Sequence, residues 1–161
     1  MYCAQYLSPV GPLLLTCTEE GLTGVQMDRE APDREAVHPV LEQAKQWLDA
    51  YFRGEEMPVS FPLAPEGTAF QKQVWQILLT IPFGGTRTYG SIAREMAEVS
   101  GKEKMSAQAV GQAVGKNPIG IIIPCHRVVG AQGQLTGYAG GLEKKVWLLE
   151  HEKATCLSHR E

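Results

Sequence analysis

The stretch Ile121-Ile122-Ile123-Pro124-Cys125-His126-Arg127-Val128-Val129-Gly130 decides how the rest of the chain is read. Three β-branched residues run into a proline, and an apolar run bounded by turn residues predicts a buried strand or packed core segment. Proline has no amide hydrogen to give to a ladder, so regular pairing is expected to stop at Pro124. Cys125 then stands at the end of a rigid element with the His126 imidazole next to it. Such a thiol has two readings. Free cysteine is among the most buried residue types, and in apolar surroundings it is inert. Beside a base or a positive charge it becomes a strong nucleophile. Neighbouring side chains of an extended segment point opposite ways, so cooperation between Cys125 and His126 needs a bridging water or a turn.

Working outward, the chain of 161 residues is long enough for one compact domain or two small ones with a real core. A hydrophobic fraction of 43% and a charged fraction of 20% are those of a soluble globular protein. No apolar run reaches membrane-spanning length, and no charged n-region precedes an apolar h-region, so neither a membrane span nor a leader is expected. Cys3, Cys17, Cys125 and Cys156 are widely spread, which suggests a reducing cytoplasm rather than a disulfide scaffold. Cys3 and Cys17 lack a Cys-x-x-Cys partner and a nearby histidine, so no metal is expected. Residues 1–65 carry 4 Lys and Arg against 10 Asp and Glu, a net charge of −6. Residues 66–161 carry 11 against 8, a net of +3. The positive part suits a nucleic-acid partner, though an ordinary solvated surface accounts for an excess of this size equally well.

Residues 2–7, 13–18 and 22–27 read as strands of a small antiparallel meander, with turns at Pro9-Val10-Gly11 and Glu19-Glu20-Gly21. A helix follows with Pro39 in its first turn, Leu41, Ala44, Trp47, Leu48, Tyr51 and Phe52 as its core face, and Gly54 as its stop. Residues 55–67, with three prolines and no helical period, read as a linker. Thr68-Ala69-Phe70-Gln71 is a capping box that opens a helix with Phe70, Val74, Trp75, Ile77, Leu78 and Ile81 on its apolar face. After a polar segment at 86–89, residues 91–97 and 106–115 predict two short helices, the second poor in bulky side chains. This pair fits a helix-turn-helix, and equally two packing helices of any mixed core. Asn117-Pro118 marks a turn, residues 130–141 with five glycines a flexible loop, and residues 142–153 a last helix burying Val146, Trp147 and Leu149 before a frayed tail.

Ile-Pro-Cys-His-Arg-Val-Val, followed by Thr136-Gly137-Tyr138-Ala139-Gly140-Gly141, resembles the active-site region of the O6-alkylguanine-DNA alkyltransferases, the methylated-DNA–protein-cysteine methyltransferases. The resemblance runs motif by motif from about Phe70 to Glu152 and more loosely before that. It implies an α+β fold in two parts. Residues 1–64 form a supporting RNase H-like domain, a small antiparallel sheet with a helix. Residues 65–161 form a mostly helical, winged-helix-like domain that binds DNA and transfers the alkyl group. It implies direct-reversal repair in which Cys125 takes the alkyl group from O6 of a guanine flipped out of duplex DNA, once per protein and without a cofactor. His126 acts through a water as base, Glu152 holds the imidazole, and Asn117 ties the helix-turn-helix to the active-site segment. Tyr89 donates to the guanine ring and steers a phosphate. Val128 and Cys125 offer backbone carbonyls to the exocyclic amine, Lys145 and the Ala139 backbone lie near O6, and Tyr138 forms a pocket wall. Gln71, Gly90, Ser106, Ala107, Gln108 and Gly111 face the DNA, with the second helix in the minor groove. The protein is expected to work as a monomer.

One departure stands out. The family usually carries an arginine where Gln108 stands, and glutamine brings less length and no charge to that position. The Gly101-Lys102-Glu103-Lys104 connection is also longer than the family pattern. Two other functions compete. One is a sensor of alkylated bases that transfers nothing, but such relatives replace the acceptor cysteine, and Cys125 is present. The other is a cysteine-based redox sensor or hydrolase, which leaves the helix-turn-helix pattern and Tyr89 unused.

Overall fold

The computed structural model describes residues 1–32, 34–102, 105–136, 138 and 140–160, of which 155–160 by backbone alone. The described chain divides into two compact units, Met1–Glu66 with Pro118–Ile122, and Gly67–Asn117 with Ile123–Glu161. Both sheet and helix are present, so the fold is mixed α+β.

The first unit is built on an antiparallel sheet ordered β1 (Tyr2–Ser8), β2 (Gly11–Thr18) and β3 (Gly21–Met27). Alternation on β2 buries Leu13, Leu15 and Cys17 on one face. Helix α1 (Pro39–Phe52) packs there with Leu41, Ala44, Leu48 and Tyr51. His38 caps it, its ring Nδ1 accepting from the Val40 N–H at 3.2 Å. Trp47 and Phe52, expected in the core face, are only half-buried. Trp47 instead stacks on Tyr51 and donates its indole N–H to the Met57 carbonyl at 3.0 Å.

Two segments join this sheet from elsewhere in the sequence. The stretch read as a linker is pinned to β3. Leu22 N–H donates to the Pro62 carbonyl (2.9 Å), Ala64 N–H donates to the Leu22 carbonyl (2.7 Å), and Phe61 is buried. Val25 N–H donates to the Pro118 carbonyl (2.9 Å), and Gly120 N–H returns the bond to Val25 (3.2 Å). Of the two readings of Ile121–Ile123, the strand does not form and the packed core segment does. Ile121 takes a left-handed φ of 68°, and tight turns join Ile122 N–H to the Gly120 carbonyl and Cys125 N–H to the Ile123 carbonyl. All three isoleucines are buried all the same. The β-branched run recorded burial, not extended backbone. A β-branched residue at positive φ persists only where its surroundings over-determine it.

In the second unit, the capping box opens α2 (Ala69–Leu78): Thr68 Oγ1 accepts from Gln71 N–H (3.1 Å) and Gln71 Oε1 from Thr68 N–H (3.0 Å). Val74, Trp75, Ile77 and Leu78 are buried, Phe70 half so. Trp75 ties this helix to α4 (Ala107–Gly115) by donating to the Ala113 carbonyl at 2.8 Å. Between them runs α3 (Tyr89–Ser100), longer than the expected 91–97. Thr88 is its cap, Oγ1 accepting from Ser91 N–H at 3.0 Å, so the helix starts two residues earlier. Gly101, at φ 71°, ends it. Helices α3 and α4 pack together as a helix-turn-helix pair. Of the connection between them, Glu103 and Lys104 lie outside the described residues.

The polar segment before α3 is a strand, β4 (Arg87–Thr88), paired in parallel with β5 (Val128–Val129). One 3₁₀ turn, Cys125–Arg127, precedes β5, and another, Ala131–Gly133, follows it. The chain ends in α5 (Leu142–Arg160), which continues through the tail expected to fray. Its buried face is Lys145, Leu148 and Glu152, while Val146, Trp147 and Leu149 are half-buried.

Gly21 offers a direct check on the first unit. Its φ is +148°, and a Cβ there would lie 2.6 Å from the Pro62 carbonyl oxygen. Gly21→Ala is expected to destabilise the protein by about 1–3 kcal/mol, measured by urea unfolding. An unchanged midpoint would contradict the pinned 62–64 segment.

Candidate active site

The site grows from the 3₁₀ turn formed by Cys125, His126 and Arg127, the last two of which share one carboxylate. All three are buried. His126, wholly inaccessible, donates from Nε2 to Glu152 Oε2 at 2.5 Å. Arg127 gives Nε to Glu152 Oε1 (2.8 Å), Nη2 to Glu152 Oε2 (3.2 Å) and Nη1 to the Ile81 carbonyl (2.7 Å). Its guanidinium also lies 5.7 Å from the Phe83 ring centroid. Glu152 Oε1 further accepts the Gly84 N–H at 3.1 Å. One carboxylate, 1% exposed, thus holds an imidazole, a guanidinium and a backbone amide.

The charges follow from that packing. Burial works to raise the Glu152 carboxyl, but the hydrogen bonds and charges of His126 and Arg127 outweigh it and hold the group down at about 2. Burial pushes the His126 ring below its ordinary 6.5, with Arg127 and Lys145 adding to the push against the pull of Glu152. The imidazole is therefore neutral at neutral pH. Since a carboxylate only accepts, the proton sits on Nε2, and Nδ1 is the basic nitrogen.

Cys125 is a free thiol, 7% exposed. Burial pushes it above its ordinary value. The Asn117 and Tyr138 side chains and the Lys145 charge work the other way. The thiol rests protonated, among groups that favour the thiolate once it forms. Asn117 also donates Nδ2 to the Ile123 carbonyl at 2.8 Å, bracing the chain two residues before the thiol. The buried Tyr138 hydroxyl is pushed well up by burial and by the Cys125 charge.

Lys145 reaches in from α5, 1% exposed, and donates Nζ to the Val128 carbonyl at 2.7 Å and to the Thr136 carbonyl at 3.4 Å. Burial lowers its ammonium from the ordinary lysine value. Tyr89, the first residue of α3, shares a 2.7 Å hydrogen bond with the Thr136 hydroxyl. An open groove of about 920 Å³ lies beside it, lined by Tyr89, Gly90, Ala107, Gln108, Gly111 and Thr136 among others. Ser106 caps α4, Oγ accepting from Ala109 N–H at 3.1 Å, and Gln71 is engaged in its capping box. Ala139 lies outside the described residues. Among the described residues no group of three His, Cys, Asp or Glu side chains could hold a metal ion. No described helix is long and apolar enough to cross a membrane.

Two residues quoted in the motifs but given no role there stand close to this chemistry. Arg127 is one, and its signal was present: a charge inside an apolar run has to find a buried counter-charge. Thr136 is the other; its place at the head of the glycine-rich motif gave no sign of its bonds to Tyr89 and Lys145.

Fold and site together define a helix-turn-helix protein built around a buried cysteine with a neutral histidine held by a carboxylate. Comparisons with known proteins narrow this. Residues 69–154 match the model of the 6-O-methylguanine DNA methyltransferase DNA-binding domain, and residues 1–65 that of its ribonuclease-like domain. A methylated-DNA–protein-cysteine methyltransferase of Methanosarcina acetivorans is 49% identical, over 94% of this chain and 98% of the relative. One of Mycobacterium leprae is 45% identical, over 98% and 96%. The crystal structure of Mycobacterium tuberculosis OGT in complex with DNA superposes with a TM-score of 0.82 at 43% identity, over 96% of this chain and 94% of that one. The chain belongs to the 6-O-methylguanine DNA methyltransferase family.

The carboxylate network sets how stability depends on pH. A carboxyl held below its ordinary 4.5 contributes stability that is complete above that pH and lost as pH falls towards 2. His126 acts in the same direction, because below pH 6.5 the unfolded chain takes up a proton that the folded chain refuses. The urea midpoint is expected to fall steadily from pH 7 to pH 3. At pH 7, Glu152→Gln is expected to cost about 3–5 kcal/mol, since it leaves Arg127 buried without its counter-charge. A midpoint independent of pH over that range would contradict the network.

Proposed function

We propose that this protein repairs alkylated DNA by direct reversal, moving the alkyl group from O6 of guanine in duplex DNA to Cys125 Sγ. The observation that carries the reading is the buried Cys125 thiol within one 3₁₀ turn of a neutral His126 held by Glu152. The names of the relatives support it for the whole chain.

Each step uses a group already placed. The thiol proton passes through a water to His126 Nδ1, and Glu152 steadies the imidazolium that forms. Sγ attacks the alkyl carbon, an S–C bond forms and the C–O6 bond breaks. The guanine leaves with the electron pair, and a donor facing its rim returns a proton. Tyr89 and Lys145 are the proposed donors at the ring and at O6, where charge develops. The carbonyls of Cys125 and Val128 receive the exocyclic amine. Val128 already accepts from Lys145, but a carbonyl oxygen has two lone pairs. Tyr138 closes one side of the pocket. The thioether has no hydrolytic route back, so each molecule acts once.

The target atom is inaccessible inside a duplex, so the guanine must be flipped out. Helix α4 is proposed to lie in the minor groove, where Ala107 and Gly111 let its backbone approach closely and Gln108 enters the stack. Gly90, Ser106 and Gln71 are proposed to face the same strand. Residues 1–64 are proposed as a supporting domain and residues 65–161 as the domain that binds DNA and transfers the alkyl group. One chain carries every assigned group, so the protein acts as a monomer and needs no cofactor. A free Cys125 thiol suits the reducing cytoplasm.

The test is incubation with a duplex carrying one O6-methylguanine, followed by mass mapping. One methyl on Cys125, at no more than one per protein, is expected, and none in Cys125→Ser. Lesion-dependent binding without an adduct would replace transfer by sensing.

A further inference from the structure

Resting on the reading of Cys125 as a DNA alkyl acceptor, we infer that Arg94 on α3 is the residue that holds a backbone phosphate of the duplex at the mouth of the site. Arg94 lines the groove that contains Tyr89, Gln108 and Thr136. Every other described residue lining that groove is uncharged. Its neighbours Gln108, Gln112 and Gln132 offer amides, which can hydrogen-bond DNA but cannot neutralise it.

Arg94 is also available. The nearby Arg87 is spent on Glu95 (2.7 Å) and on Ser91, Arg127 on Glu152, and Lys145 on two carbonyls. Arg94 is exposed and has no ion pair among the described residues. A smaller cavity of about 360 Å³ adjoins the first and shares Gly90, Arg94 and Ala107 with it. That cavity carries Glu98 as well as Lys102. Glu98 disfavours a phosphate there, which leaves the larger groove as the path for the strand. The first helix of a helix-turn-helix ordinarily crosses the nucleic-acid backbone, and Arg94 lies midway along it. A guanidinium grips phosphate through paired N–H donors, so its contribution is both charge and orientation.

The inference also gives a physical account of Gln108. With no cation on α4 at that position, neutralisation of the strand falls to α3. A charge placed at 108 should therefore substitute for one lost at 94.

The experiment measures affinity for a duplex carrying O6-methylguanine as a function of salt, for wild type, Arg94→Gln, Arg94→Lys, Arg94→Gln with Gln108→Arg, and Arg29→Gln. Arg29 is an exposed arginine of the first unit and controls for net charge. Arg94→Gln is expected to keep the wild-type urea midpoint. Its affinity should fall roughly three- to tenfold at low salt, and the slope of log K against log salt should become shallower by about 0.9, one phosphate contact. Arg94→Lys and the double variant should regain most of the slope, and Arg29→Gln should match wild type. An Arg94→Gln variant with the wild-type slope, or one no different from Arg29→Gln, overturns the inference and leaves the repair reading standing. A wild-type protein that neither binds the duplex nor gains a methyl overturns both.

Discussion

The Glu152 carboxylate is the constraint on which the second unit depends. It is buried, ionised, and contacted by groups from two distant places in the sequence, Gly84 and the His126–Arg127 pair. A carboxylate withdrawn from water this far is tolerable only when its oxygens are filled. Filling them fixes the rotation of the His126 ring, leaves Nδ1 as its basic nitrogen, and pulls the 3₁₀ turn against α5. The geometry that serves chemistry and the geometry that satisfies a buried charge are the same geometry.

The neighbouring thiol is governed by the opposite balance. Burial holds the Cys125 proton on, while Asn117, Tyr138 and Lys145 stand where they favour its loss. The arrangement suits the single transfer proposed for Cys125, because a thiol resting protonated and 7% exposed is a poor target for stray electrophiles.

What the sequence made legible was local. The capping box at Thr68 and Gln71 forms with both of its bonds, and the alternation of Leu13, Leu15 and Cys17 gives the sheet face. Cys125 and His126 stood out because a thiol and an imidazole after a proline are chemically unusual; Glu152 and Lys145 were reached through family resemblance. What escaped was non-local. The pairing of Arg87–Thr88 with Val128–Val129 joins segments about forty residues apart by two residues each, too short to leave a pattern. Ile121–Ile123 left strand and packed core segment both open because β-branching reports burial as readily as strand, and only the burial held. The buried face of α5 was misassigned to Val146, Trp147 and Leu149. Lys145 and Glu152 take the interior because their partners, up to 68 positions away, satisfy them there. Arg127 follows the same rule: a charge is placed by its partner, and the partner is not in the window being read.

The most direct measurement of the central claim is an NMR titration of the His126 ring, using ¹³C and ¹⁵N shifts in the intact protein. The Glu152 network requires a ring that stays neutral, with its proton on Nε2, as pH falls below 6.5. A ring that titrates at or above 6.5, or carries its proton on Nδ1, would contradict it: Glu152 would then not be holding a neutral base in readiness.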